Sequence, residues 1–137
     1  PCKLSSPMFS FSVAESRGIS VVCTLTADIS EQYEHDVSII LANLLDNAIE
    51  ASEKLSNEKP EIILNISEIS GYYSIVVKNR ISSSVIADNQ KLSTTKADKH
   101  NHGYGLKSVK MLAESHNGMV DIYEKDGFFI VNTLLNM

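Results

Sequence analysis

The sequence predicts an α/β two-layer sandwich: a mixed, mainly antiparallel sheet of about five strands with three helices on one face. Three observations lead to this prediction. Segments with helical spacing of apolar residues alternate with short segments rich in β-branched residues. Adjacent predicted strands are joined by very short turns, which requires antiparallel pairing. The 137 residues are 43% hydrophobic, enough for one sizeable core, and the length indicates a single domain over residues 1–137.

The first half of the chain is predicted to form a helix, a strand and a long helix. Ser6–Gly18 has Pro7 at the first helical position and a glycine at its end. Ile19–Asp28 is rich in β-branched residues, as strands are. Tyr33–Leu55 is predicted to be helical because apolar residues recur at helical spacing. These residues are Val37, Ile40, Leu41, Leu44, Leu45, Ala48 and Ile49.

The second half is predicted to contain two hairpins separated by a polar stretch and a helix. The hairpins pair Glu61–Ser70 with Tyr72–Asn79 and Met119–Lys125 with Phe128–Asn136. Gly71 and Asp126-Gly127 supply their turns. Between the hairpins, Arg80–His102 is long and polar, and loops of this length in compact domains are often functional lids. Gly103–Gly118 is the last predicted helix.

Composition excludes several classes of protein. A net charge of −5 argues against nonspecific nucleic-acid binding, which requires a basic surface. Cys2 and Cys23 are too few for a disulfide framework, which favours a reducing, cytosolic compartment, and no Cys–His spacing resembles a zinc site. There is no signal peptide and no apolar run that could span a bilayer. Because the chain lacks an initiator methionine, we expect it to be a fragment of a larger protein.

The segment LANLLDNAIEAS in the long helix contains an unusual polar stripe. Asn43, Asn47 and Glu50 are spaced i, i+4 and i+7, so they share one face of a helix that is otherwise apolar. An asparagine oxygen can bind a hard cation such as Mg²⁺, which also shares substrate phosphates. The alternatives are an exposed helix edge or a buried side-chain hydrogen bond, and this segment alone leaves them open.

The segment HGYGLKSVK at the start of the last helix is a second candidate site. Gly103 and Gly105 precede or begin this helix, where free backbone N–H groups and the helix dipole favour a phosphate. The segment is neither a Walker loop nor a dinucleotide-binding fingerprint, because the required spacing and the preceding strand are absent. A simple N-terminal loop is the alternative interpretation.

Taken together, NLLDNAIEAS, IVVKN, the polar stretch and HGYGLKSVK resemble the GHKL (Bergerat-fold) ATPase superfamily. Within it, the chain resembles the catalytic domain of sensor histidine kinases, in particular the peptide-pheromone receptor subfamily, from about Pro7 to Leu135. The resemblance implies that Asn47 binds Mg²⁺ and that Asn43 supports the phosphates or the bound water, which makes these two the expected catalytic residues. It also implies that ATP phosphates bind the backbone of Gly103, Tyr104, Gly105 and Leu106.

The resemblance assigns a role to the polar stretch as well. Arg80–His102 would form an ATP lid, in which Lys96 is a candidate phosphate contact and His102 would steady the lid. For Lys96, the alternative is an ordinary solvated side chain.

The adenine site departs from the pattern of the superfamily. Most members have D-x-G-x-G after the third strand, where the aspartate reads the adenine amino group; here Asn79 replaces it and both glycines are missing. An asparagine side chain still offers an acceptor and a donor. We therefore expect weak ATP binding, with a Kd in the micromolar to millimolar range. We also expect apolar residues such as Ile63 or Val76 to line the adenine pocket.

A second departure from the superfamily pattern favours phosphoryl transfer to a protein over ATP hydrolysis. Relatives that hydrolyse ATP carry a glutamate base one turn before the metal-binding asparagine, where this chain has Asn43. Transfer to an imidazole needs positioning and Mg²⁺ electrostatics rather than an activated water. None of His35, His100, His102 and His116 lies in a segment like the helical hairpin that carries the family's phosphoacceptor. We expect the acceptor upstream, and we expect His116 to compensate a helix C-terminus.

The resemblance thus implies a domain that binds Mg·ATP and donates the γ-phosphate to a histidine on an adjoining dimerisation domain. The parent would be a homodimeric two-component sensor kinase in the cell membrane, with this domain in the cytoplasm and a response regulator as its partner. The main alternative is a degenerate pseudokinase or docking module that binds nucleotide weakly or not at all. A free-standing ATP hydrolase is a second alternative.

Overall fold

The computed structural model describes residues 7–55, 58–88 and 104–136. The helices are α1 (Pro7–Ser16), α2 (Glu31–Glu53), α3 (Val85–Asp88) and α4 (Tyr104–Ser115). The strands are β1 (Ser20–Leu25), β2 (Glu61–Ile69), β3 (Tyr72–Arg80), β4 (Met119–Lys125) and β5 (Phe128–Asn136). The predicted order of elements is confirmed, with α3 as one additional short helix inside the polar stretch.

The five strands form one mixed sheet in the order β1-β2-β3-β5-β4. β1 and β2 are parallel and are connected through α2, whereas the other three neighbouring pairs are antiparallel. Both tight hairpins use a positive-φ pair, Ser70-Gly71 at one turn and Asp126-Gly127 at the other. Two successive left-handed residues match the twist of the flanking strands, so these turns hold the register of both hairpins.

The core lies between the helices and one face of the sheet. All seven apolar positions that helical spacing predicted in α2 are buried. In β2, Ile62, Leu64 and Ile66 are buried against the helices, and the residues between them are only partly buried on the opposite face. This period of two is expected for a sheet covered by helices on one side. The predicted two-layer α/β architecture is confirmed.

A buried tyrosine holds the start of α2 against the sheet. Tyr73, on β3, is 1% exposed, and its hydroxyl accepts a hydrogen bond from the backbone N–H of Ser30 at 3.0 Å. Its ring also meets the ring of Tyr33 edge-on, with centroids 5.4 Å apart. These contacts fix the position of α2 above β3, and thereby the position of its polar stripe.

Cys23 bears on the expectation that the chain has no disulfide framework. Cys23 lies on β1, packs against the core and is disulfide-bonded. The low cysteine count argued against a disulfide framework, but it did not exclude a single cross-link, which depends on the distance between two cysteines rather than on their number.

Within the described ranges, no helix is both long and apolar enough to cross a membrane.

Candidate functional site

A cleft with a cavity volume of about 270 Å³ opens between α2, α4, the strands β3 and β5, and the segment that follows β3. Its walls are mostly apolar. The polar residues that line it are Asn47, Lys54, Asn79, Arg80, Ser82 and Ser83. A largely apolar cavity with a few convergent polar groups is the usual form of a small-molecule site.

The two asparagines of the α2 stripe have different surroundings. Asn47 lines the cleft, and its side-chain nitrogen Nδ2 is buried without a hydrogen-bond partner among the residues that the structure describes. Asn43 does not line the cleft; its Nδ2 donates to the backbone carbonyl of Ile39, one turn earlier in the same helix, at 3.1 Å. A buried unpaired amide costs about 1–3 kcal/mol, so Asn47 is suited to a ligand that completes its hydrogen bonds. Asn43 therefore agrees with the alternative interpretation of the polar stripe, in which the asparagine makes a side-chain hydrogen bond within the protein.

Asn47 meets the start of α4 directly. Gly105 is buried in the first turn of α4, and a Cβ atom added there would lie 3.2 Å from Nδ2 and 3.3 Å from Oδ1 of Asn47. The next residue, Leu106, also lines the cleft. The first N–H groups of a helix have no intrahelical partners, so α4 presents backbone donors beside the unpaired amide. The two sequence segments singled out above therefore face the same cavity.

Asn79 lies on the opposite wall of the cleft. It is 4% exposed, and its Nδ2 donates to the carbonyl of Arg80 at 3.5 Å, the outer limit of a hydrogen bond. It pairs across the sheet with Ile62 and Phe129. Asn79 thus offers an amide to the cleft that is only weakly engaged by the protein.

The prediction that Ile63 or Val76 lines the pocket is wrong. Ile63 pairs with Lys78, and Val76 with Asn65, on the face of the sheet that points away from the helices. The cleft is lined instead by Val77 on β3 and by Phe129 and Val131 on β5, together with residues of α2 and α4. Neighbouring strand residues point to opposite faces, so a shift of one residue decides which side chain enters the cleft.

Glu124 holds the segment that follows β3, a role that sequence reasoning missed. Its Oε1 accepts a hydrogen bond from the hydroxyl of Ser84 at 2.7 Å, and its Oε2 accepts from the N–H groups of Val85 and Ile86 at 2.7 and 3.1 Å. Desolvation raises the pKa of Glu124, but these hydrogen bonds outweigh it and the pKa is lowered overall. Since Ser83 and Val85 line the cleft, Glu124 helps to shape one wall from 40 residues away along the chain.

The acidic residues of α2 stand outside the cleft. Asp46 is exposed, and its pKa is raised by desolvation and by the nearby charge of Glu50. Among the described residues, no aspartate or glutamate lines the cleft. The same ranges contain no group of three or more His, Cys, Asp or Glu side chains that could hold a metal ion. A cation in this cleft would therefore depend on the oxygen of Asn47 together with oxygens of a ligand.

The histidines and the remaining predicted residues are placed as follows. Nε2 of His116 lies 2.7 Å from Oδ2 of Asp36. This contact links the residue that follows α4 to α2, in addition to the predicted interaction of His116 with the C-terminus of α4. His35 is exposed near the start of α2. The backbone of Tyr104 begins α4. Outside the described residues lie Lys96, His100, His102 and Gly103.

Comparison with known proteins assigns the family. The profile described as "GHKL domain" matches residues 34–136, and the chain therefore belongs to the GHKL domain family. No curated protein sequence matches it.

Solved structures agree with this assignment at the level of the fold. The catalytic domain of the histidine kinase ThkA superposes with a TM-score of 0.73 at 15% identity, covering 96% of this chain and 87% of that one. The histidine kinase AdeS of Acinetobacter baumannii gives 0.68 at 15% identity, over 97% of this chain and 64% of that one. Full-length ShkA in complex with AMPPNP gives 0.66 at 18% identity, over 97% of this chain and 29% of that one. The fold is that of histidine kinase catalytic domains.

Proposed function

We propose that this chain binds Mg·ATP in the cleft and donates the γ-phosphate to a histidine on an adjoining dimerisation domain of a two-component sensor kinase. The observation that carries the proposal is the close approach of the Asn47 amide to the start of α4, where a Cβ atom added at Gly105 would lie 3.2 Å from Nδ2. Membership of the GHKL domain family supports a nucleotide ligand, as does the fact that full-length ShkA, which contains a domain of the same fold, was solved in complex with AMPPNP.

Each end of the cleft suits a different part of the nucleotide. At one end, Oδ1 of Asn47 would bind Mg²⁺, and its Nδ2 and the N–H groups of the first turn of α4 would donate to phosphate oxygens. At the other end, the apolar wall that includes Val77 and Val131 would cover the base, and the Asn79 amide would meet its polar edge. When bound, Mg²⁺ would supply positive charge against the phosphates. The assigned roles of Gly103, Lys96 and His102 remain predictions.

The chemistry of the cleft favours transfer over hydrolysis. Asn43 cannot accept a proton at neutral pH, and Asp46 lies outside the cleft. Without a carboxylate along its described walls, the site has no evident base for activating water. A histidine acceptor needs positioning instead, because a neutral imidazole is already nucleophilic.

The acceptor belongs, in this proposal, to another domain of the parent protein. His35 and His116 do not line the cleft, and His116 is paired with Asp36. The parent is proposed to be a homodimeric membrane receptor of the peptide-pheromone receptor type, with this domain in the cytoplasm and a response regulator downstream.

Calorimetric titration of the chain with Mg·ATP tests the nucleotide site. Asn47→Ala should abolish Mg-dependent binding, because it removes both the cation ligand and the phosphate donor, while the circular dichroism spectrum stays unchanged. Asn65→Ala on the opposite face of the sheet is the matched control and should bind like the wild type. Wild-type affinity in the Asn47 variant would refute the assigned role.

The parent protein tests the transfer step. Incubation with γ-labelled ATP should give an acid-labile, base-stable phosphate on the parent, and little free phosphate should be released by the isolated chain. Substantial phosphate release by the chain alone would favour a hydrolase instead.

A docking module is the second candidate, and the observation that favours it is the adenine motif, in which Asn79 replaces the aspartate and both glycines are missing. A site that holds adenine poorly would leave a folded domain with little affinity for nucleotide. Thermal melting separates the two, because a ligand that binds only the native state raises the midpoint. An unchanged midpoint at millimolar Mg·ATP would support the docking module.

A further inference from the structure

The base end of the cleft contains one deeply buried polar side chain. Asn79 is 4% exposed and lines the cavity, yet among the described residues its amide makes a single hydrogen bond, at 3.5 Å, to the carbonyl of Arg80. Rotating the amide by half a turn would sacrifice only this long bond. No contact between Asn79 and the described residues therefore fixes whether the oxygen or the nitrogen of its amide faces the cavity.

An amide that can turn either way is able to recognise two kinds of purine. Its oxygen accepts a hydrogen bond from a 6-amino group, as in adenine, and its NH₂ group donates to a 6-oxo group, as in guanine and hypoxanthine. A carboxylate in the same place would only accept, and it would repel a 6-oxo oxygen.

The polar groups that line the cleft besides Asn47 and Asn79 do not distinguish a 6-amino from a 6-oxo base either. Ser82 and Ser83 line the cleft and carry hydroxyls that both donate and accept. Lys54 and Arg80 only donate, which suits a 6-oxo group at least as well as a 6-amino group. Along the described walls of the cleft there is no carboxylate to act as a fixed acceptor.

From these contacts we infer that the cleft accepts 6-oxo purine nucleotides as well as ATP, with Asn79 as the specificity-determining residue. The inference rests on the proposed function, because it concerns the base of the nucleotide bound in the same cleft. The 6-amino and 6-oxo bases each satisfy Asn79 in one of its two orientations, so the affinities should be similar.

Direct titration of the chain with Mg·ATP, Mg·GTP and Mg·ITP tests the inference. Inosine triphosphate has the 6-oxo group but lacks the 2-amino group, so it isolates the 6-position. For the wild type, we expect the three dissociation constants to agree within about tenfold, since each base makes one neutral hydrogen bond with Asn79. ATP binding combined with a hundredfold or greater weakening for GTP or ITP would overturn the inference and leave the proposed function intact.

Substitutions at Asn79 provide the complementary test. Asn79→Asp should raise the ratio of the ITP to the ATP dissociation constant by about ten- to a hundredfold, the effect of one hydrogen bond to a charged group. Asn79→Ser keeps a group that donates and accepts, so the ratio should stay near that of the wild type. Asn65→Asp adds the same charge on the opposite face of the sheet and should leave the ratio unchanged.

The outcomes separate the two proposals. An Asn79→Asp variant that folds, as judged by circular dichroism, and keeps the wild-type ratio would overturn the role of Asn79. If that variant does not fold, the wild-type and Asn79→Ser ratios decide the question. Failure of all three nucleotides to bind the wild type would overturn both this inference and the proposed function.

Discussion

Replacing Gly105 with alanine would test whether the start of α4 and the Asn47 amide form one site. The added Cβ would lie 3.2 and 3.3 Å from the two polar atoms of Asn47, a few tenths of an ångström inside ordinary van der Waals contact. The obstacle is a half-buried side chain rather than backbone, so Asn47 can move aside. Alanine also favours a helix by up to about 1 kcal/mol over glycine.

These opposing effects predict that stability and binding will separate. The free energy of unfolding of Gly105→Ala, measured with urea, should stay within about 1 kcal/mol of the wild type, because helix propensity offsets the local crowding. Calorimetry should show Mg·ATP affinity lowered by about ten- to a hundredfold, the loss of one hydrogen bond to a charged group. A larger side chain at this position should block binding entirely.

Gly18→Ala is the matched control for this experiment. Gly18 has a φ of 78°, and no atom of the described residues lies within 4 Å of an added Cβ, so alanine there meets backbone strain but no such neighbour. It should lower the free energy of unfolding by about 1–2 kcal/mol and leave nucleotide affinity unchanged. Wild-type affinity in Gly105→Ala, at full folding, would refute the idea that the two segments act together.

Three further predictions concern the surrounding fold. Gly118→Ala should destabilise the chain by about 1–3 kcal/mol or more in urea unfolding, because its Cβ would fall 1.7 Å from the backbone oxygen of Leu134. Thr133→Val should stabilise it by about 1 kcal/mol, because Thr133 is fully buried and its hydroxyl has no partner in the described part of the chain. Folding lowers the pKa of Glu124, so the stabilisation of the folded chain by its carboxylate is complete above the ordinary carboxyl pKa. This stabilisation is lost as the pH falls through the pKa of the folded state. The difference in unfolding free energy between the wild type and Glu124→Gln should therefore shrink as the pH is lowered from neutral to acid.

Each of these predictions has a distinct refutation. Normal stability of Gly118→Ala would mean that α4 can shift relative to β5 at little cost. A destabilised Thr133→Val variant would show that the threonine hydroxyl is satisfied in solution. A pH-independent difference for Glu124→Gln would indicate that the carboxylate is not held by Ser84 and the N–H groups of α3.

The helices and hairpins were predictable because their causes are local. Apolar residues at helical spacing defined α2, and all seven predicted positions are buried. The Gly71 and Asp126-Gly127 turns placed two hairpins, since positive φ angles are available to few residue types. The short helix α3 was missed because its first residue, Val85, is held by Glu124, which is 39 residues away in the sequence.

The sequence by itself determined the order of elements, the family and the two segments that face each other across the cleft. Only the tertiary structure decided which side chains enter it: Asn47 does, whereas Asn43 is bonded within its own helix. It also placed Val77 in the cleft and Val76 on the far side of the sheet. Helical period and turn chemistry are properties of neighbouring residues, whereas the inward face of a strand is set by packing against distant elements.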